Sequence, residues 1–94
     1  MTELTLDDRV TIPDAIVFRD LGGETVVLNL DTGVYFELDQ VGSEIWESLR
    51  GGATLVQTFE QLRDRYDVQP DELRGDVLRF ANQLATKGLV VRAA

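Results

Sequence analysis

The chain contains no cysteine and no histidine. The first absence excludes disulfides, thiolate metal sites and a cysteine nucleophile. The second removes the commonest general base and the commonest metal ligand together. No run approaches the roughly 18 apolar residues of a membrane span. The opening MTELTLDDRV lacks the basic and apolar regions of a signal peptide, so a cytoplasmic protein is expected. Basic residues are also scarce, 9 Lys and Arg against 17 Asp and Glu, a net charge of −8. A nucleic-acid binder needs the opposite balance to meet phosphates.

What the 94 residues do contain is enough apolar material, 44%, for one modest core. A single domain over 1–94 is expected, with residues 1–9 as a loosely attached arm. The chain then divides into strands first and helices second. Ala15–Arg19, Glu24–Leu30 and Val34–Leu38 are rich in β-branched and aromatic residues and are separated by short glycine turns. They predict an antiparallel meander. A three-residue turn over Asp31-Thr32-Gly33 sets Leu30 opposite Val34, Leu28 opposite Phe36 and Val26 opposite Leu38. That register places Val26, Leu28, Leu30, Val34, Phe36 and Leu38 in the core. Thr25, Val27, Asn29, Tyr35 and Glu37 then form a half-exposed outer face.

Asp39 caps a first helix whose apolar stripe is Val41, Ile45, Trp46 and Leu49, and Gly51-Gly52 ends it. Thr54-Leu-Val-Gln57 fits a capping box for a second helix, with Leu55, Phe59, Leu62 and Tyr66 buried. Pro70, followed by Asp71 and Glu72, opens a third helix that Gly88 closes, and Leu89–Arg92 is a last short strand. A meander plus three helices, with a tight break between the helices, gives an α+β winged helix-turn-helix.

Two features exceed what a core requires. The third helix carries a main stripe, Leu73, Val77, Phe80 and Leu84, and a shallower second one, Leu78, Ala81 and Ala85. The second stripe is either a broad core face or a groove wall for foreign side chains. The third strand is a sheet edge with only Glu37 to shield it, which makes it a template for strand addition. A loop or the tail covering that edge is the alternative.

Candidates for chemistry are weak. Asp31 is a turn residue and Asp39 a cap, so the Asp31, Glu37, Asp39, Glu44 group has no need of a metal. The glycine pairs are turn and helix-end glycines outside any phosphate-binding pattern. Trp46 reads as core, and the arginines of the second and third helices read as solvated faces. No nucleophile and base can be assembled, so no catalytic residue, metal or cofactor is expected.

The run VVLNLDTGVYFELDQVGSEIWESL, followed by DVQPDELRGDVLRFANQLATKGLV, resembles the PqqD-like proteins, or RiPP recognition elements. The shared elements are Tyr35-Phe36, Leu38-Asp39, Gly42 to Trp46, Asp76-Val77, Phe80 and Gly88-Leu89, across roughly residues 13–91. The resemblance implies a winged helix-turn-helix that binds the leader segment of a ribosomally made precursor peptide. The leader adds as a strand beside the third strand and packs against the third helix. Val34, Tyr35, Phe36, Glu37, Leu38, Arg74, Val77, Leu78, Ala81, Asn82 and Ala85 are the peptide-binding residues expected on this basis.

Stand-alone proteins of this length look like those of lasso-peptide pathways, which present the precursor to a leader peptidase and a cyclase. The runner-up is delivery to a radical S-adenosylmethionine enzyme. A winged-helix DNA regulator is the distant alternative, disfavoured because the third helix balances Arg74, Arg79 and Lys87 against Asp71, Glu72 and Asp76 where a recognition helix should be basic. No membrane partner is expected, and an open edge is also able to self-pair into a homodimer when no leader is present.

Overall fold

A computed structural model describes residues 3–93. The elements run β1 (Val10–Thr11), β2 (Ile16–Asp20), β3 (Thr25–Asn29), β4 (Tyr35–Leu38), α1 (Gln40–Arg50), α2 (Leu55–Arg63), α3 (Pro70–Thr86) and β5 (Val91–Arg92). Strands β2, β3 and β4 form the expected antiparallel meander in that order. The short β1 and β5 pair separately, a small second sheet that joins the two ends of the chain. The architecture is the α+β winged helix-turn-helix read from the sequence.

The helix boundaries follow their local chemistry. Gly42 N–H donates to Asp39 Oδ1 at 2.8 Å, satisfying one of the free donors of the first turn of α1. Both halves of the α2 capping box are present, with Thr54 Oγ1 accepting from Gln57 N–H at 3.1 Å and Gln57 Oε1 from Thr54 N–H at 2.9 Å. Pro70 opens α3, where its missing N–H costs nothing. Tyr66, expected on the α2 stripe, lies beyond the helix end, half-buried, with its hydroxyl on Glu44.

The register of β3 corrects the sequence reading. Val27 pairs with Phe36, Val26 with Glu37 and Leu28 with Tyr35. The inward residues of β3 are therefore Thr25 and Val27, both buried, while Val26 and Leu28 face outward. The cause is the turn, which spans four residues, Leu30–Gly33, instead of three. Asn29 N–H donates to Val34 O at 2.9 Å and Gly33 N–H to Asn29 O at 2.8 Å. Asn29 Oδ1 also accepts from Asp31 N–H at 2.9 Å, an Asx turn that draws Leu30 into the loop, where it is 59% exposed. Val34 is exposed as well. Phe36 and Leu38 keep their expected inward side, and Gly33 is left-handed at φ 75° as expected.

The core lies between the inner sheet face and the helices. Trp46, Leu49, Leu55, Val27, Val77 and Leu89 are fully enclosed, and Phe18 meets the Trp46 ring edge-on at 5.5 Å.

The expected arm is instead part of this core from its described start at Glu3, residues 1 and 2 lying outside the described residues. Leu4 is buried, and its N–H donates to Asn82 Oδ1 at 2.8 Å. The carbonyls of Asp8 and Leu6 accept from Leu55 N–H at 3.0 Å and Val56 N–H at 2.8 Å. The N-terminal segment thus completes the cap of α2.

Candidate functional site

The bonding phase of the meander determines what its last strand offers. Leu30 N–H reaches Ala15 O and Leu21 N–H reaches Glu24 O, so even-numbered residues of β3 bond toward β2. Asn29, Val27 and Thr25 therefore bond toward β4, where their partners are Val34, Phe36 and Leu38. The N–H and C=O groups of Tyr35 and Glu37 point the other way, off the free side of the sheet. Those four groups are the open edge.

Beside this edge a cleft opens between β4, the start of α1 and one flank of α3. Its larger chamber, about 420 Å³, is lined by Leu38, Val41, Gly42 and Ile45 with Asp76, Arg79, Phe80 and Gln83 of α3. A smaller chamber of about 200 Å³ lies toward the other end of α3, among Phe36, Leu38, Phe80, Leu84, Lys87 and Leu89. Phe80 borders both. Its position depends on Gly42, because a Cβ there would lie 3.0 Å from the Phe80 Cζ. The glycine of the Gly42-to-Trp46 motif thereby lets the ring settle against α1.

The cleft is apolar in its depth and charged at its rim. Arg79 is paired with Asp76 at 2.8 Å, and the Lys87 ammonium sits 5.4 Å from the Phe36 ring centroid. The groups with shifted titration lie outside it. A hydrogen bond from the Thr5 N–H holds the Asp8 carboxyl below its ordinary range. The Arg50 guanidinium does the same to Glu47, and the hydrogen bond to Glu44 raises the Tyr66 phenol. Each is accounted for by its pairing. Among the described residues no cluster of three or more carboxylates is placed to hold a metal ion.

The structure sorts the residues expected at the site into three groups. Tyr35, Phe36, Glu37 and Leu38 are on the edge strand, with Phe36 and Leu38 turned into the cleft and Val34 exposed at its turn end. Val77 and Ala81 have no accessible surface and belong to the core stripe of α3 with Leu73 and Leu84. Leu78 and Ala85 are half-buried against that core, Asn82 is tied to Leu4, and Arg74 lies over the Phe59 ring of α2 at 4.9 Å while bridging Asp71.

The helix wall of the cleft is therefore Asp76, Phe80, Gln83 and Lys87, with Arg79 alongside. These four recur at i, i+4, i+7 and i+11, a legible helical stripe. Its mixed polarity hid it. The sequence pattern puts Phe80 on the core stripe, whereas in the structure Ala81 is fully buried and Phe80 is half-buried at the cleft.

Residues 24–90 match the family described as Coenzyme PQQ synthesis protein D (PqqD). The chain belongs to the PqqD family of RiPP recognition elements. Two solved structures of similar proteins extend this. TbiB1 in complex with the TbiA(beta) leader peptide is 36% identical, covers 89% of this chain and 98% of its own, and superposes with a TM-score of 0.83. A lasso peptide synthetase B1 complexed with the leader peptide is 18% identical, with 88% and 98% coverage and a TM-score of 0.82, a likeness of fold. No curated protein matches the chain at a significant level. The PqqD match takes in β3, β4 and all three helices, and so the whole cleft.

Proposed function

We propose that this PqqD-family chain is a non-catalytic adaptor that binds the leader segment of a ribosomally made precursor peptide along the β4 edge. The observation that carries the reading is the coincidence of an unpaired edge, Tyr35 and Glu37, with an apolar cleft directly beside it. The leader peptide held by the 36% identical TbiB1 supports it. An added strand extends the meander, and its alternate side chains enter the chambers on either side of Phe80.

The energetics require both parts. Four edge groups contribute about 4 kcal/mol at roughly 1 kcal/mol net per hydrogen bond. Micromolar affinity needs about 8 kcal/mol after the ordering of a flexible leader. Two or three apolar anchors at about 1.5–3 kcal/mol each supply the remainder, and with it the specificity.

The finer reading is a lasso-peptide role, presenting the leader to a leader peptidase and a cyclase. It rests on the resemblance of the Tyr35-Phe36, Gly42-to-Trp46 and Asp76-to-Phe80 elements to stand-alone proteins of those pathways. The family description, coenzyme PQQ synthesis, supports a PQQ-type second reading, for which the resemblance to PqqD-like proteins implies delivery of a precursor to a radical S-adenosylmethionine enzyme.

Titration of a labelled leader peptide, with the TbiA(beta) leader as the probe, tests the binding reading. Gly42→Ala is the informative variant. Alanine favours the helix by about 1 kcal/mol, yet its methyl pushes the Phe80 ring toward the cleft. The methyl also lies 3.2 Å from the Asp39 capping oxygen, so thermal melts accompany the titration, and weaker binding by a variant that stays folded is the expected outcome. Unchanged affinity removes the cleft from the binding site.

A further inference from the structure

The sheet has a second surface that the cleft does not use. On the face turned away from the helices, the registers align two cross-strand rows, Val17–Leu28–Tyr35 and Arg19–Val26–Glu37. Val17 is 42% and Tyr35 62% exposed. Among the described residues neither Arg19 nor Glu37 forms an ion pair. Each row is symmetric in an informative way. A small apolar residue on β2 faces a large one on β4 across Leu28, and a cation on β2 faces an anion on β4 across Val26.

We propose that this outer face packs against the same face of a second copy, about a two-fold axis running along β3. Such an axis lays β2 of one copy over β4 of the other, while β3 lies over β3. Val17 then meets Tyr35, Leu28 meets Leu28 and Val26 meets Val26. Arg19 meets Glu37 twice, once on each side. A two-fold axis across the strands would instead set the charged row over the apolar one, so the pattern selects the first arrangement.

The contact leaves the free side of β4 open, so a strand could add there in the dimer as in the monomer. It thus differs from pairing through the β4 edge, which would compete with a peptide.

Strands about 4.8 Å apart rising about 3.4 Å per residue give a face of roughly 250 Å², hence about 500 Å² for two copies before fringe residues are added. Stable dimers bury more than about 1,200 Å², so the association is weak and transient. The net charge of −8 on each copy opposes it and is screened at about 0.15 M salt.

Sedimentation equilibrium of the full chain from about 10 μM to 1 mM in that salt tests the proposal. The weight-average mass is expected to rise from 10.5 kDa toward twice that value. Leu28→Asp should hold it at the monomer, as should Arg19→Glu or Glu37→Arg alone, each creating two like-charge contacts. The double variant Arg19→Glu with Glu37→Arg should restore association, because every contact is again between opposite charges. Thermal melts of each variant confirm folding. A mass that stays monomeric at 1 mM overturns the proposal. Association that ignores Leu28→Asp, or charge reversals that the double variant does not rescue, overturns it equally.

Discussion

Glu37→Pro separates the strand-addition reading from any account in which the peptide merely fills the cleft. The Glu37 N–H points off the sheet, so proline there removes no hydrogen bond to β3. Proline is tolerated on an edge strand when the missing donor faces outward, and Phe36 before it is already extended. The fold should survive. For an added strand the loss is direct, since one donor disappears and the ring stands where the peptide carbonyl would lie. Losing both bonds at this residue costs about 2 kcal/mol, roughly 30-fold in affinity.

Fluorescence anisotropy with the labelled leader reads this change, with Glu37→Ala as the control for loss of the carboxylate. Phe36→Pro is the contrasting variant, because its N–H points inward and its loss opens the β3–β4 ladder. It should unfold or strongly destabilise the protein. A folded Glu37→Pro variant that binds within about twofold of Glu37→Ala would refute strand addition at this edge.

Other outcomes check the scaffold. Leu4→Ala should lower stability by about 2 kcal/mol in chemical denaturation, because the N-terminal segment is core rather than arm. Thr54→Ala should cost about 1 kcal/mol by opening the α2 capping box. The Asp8 carboxyl is depressed below its ordinary 3.8 by the Thr5 N–H bond and by Arg92 at 3.1 Å. Its contribution is therefore present above pH 3.8 and lost as the pH falls through the lower folded value. Asp8→Asn should be less stable than the parent at neutral pH, and the gap should close in acid.

The sequence by itself determined the three meander strands, the three helices, their order and their caps, but not β1 or its pairing with β5. Asp39, the Thr54–Gln57 box, Pro70 and Gly33 act through neighbours a few residues away, so their chemistry is legible in one dimension. It also determined that β4 is an edge, since a meander of three strands leaves its last strand paired on one side only. Two further things required the tertiary structure. The continuous apolar run Val26-Val27-Leu28 carries no alternation to say which side faces inward. One additional loop residue, drawn in by the Asn29 side chain, decided it by reversing every side chain of β3. The wall of α3 was likewise undecided, because Phe80 and Ala81 both suit a core. What buries Ala81 and leaves Phe80 bordering the cleft is close packing from distant elements, with Gly42, nearly forty residues earlier, making room for the ring. Local chemistry wrote the parts, and long-range packing chose which of their faces were left free to bind.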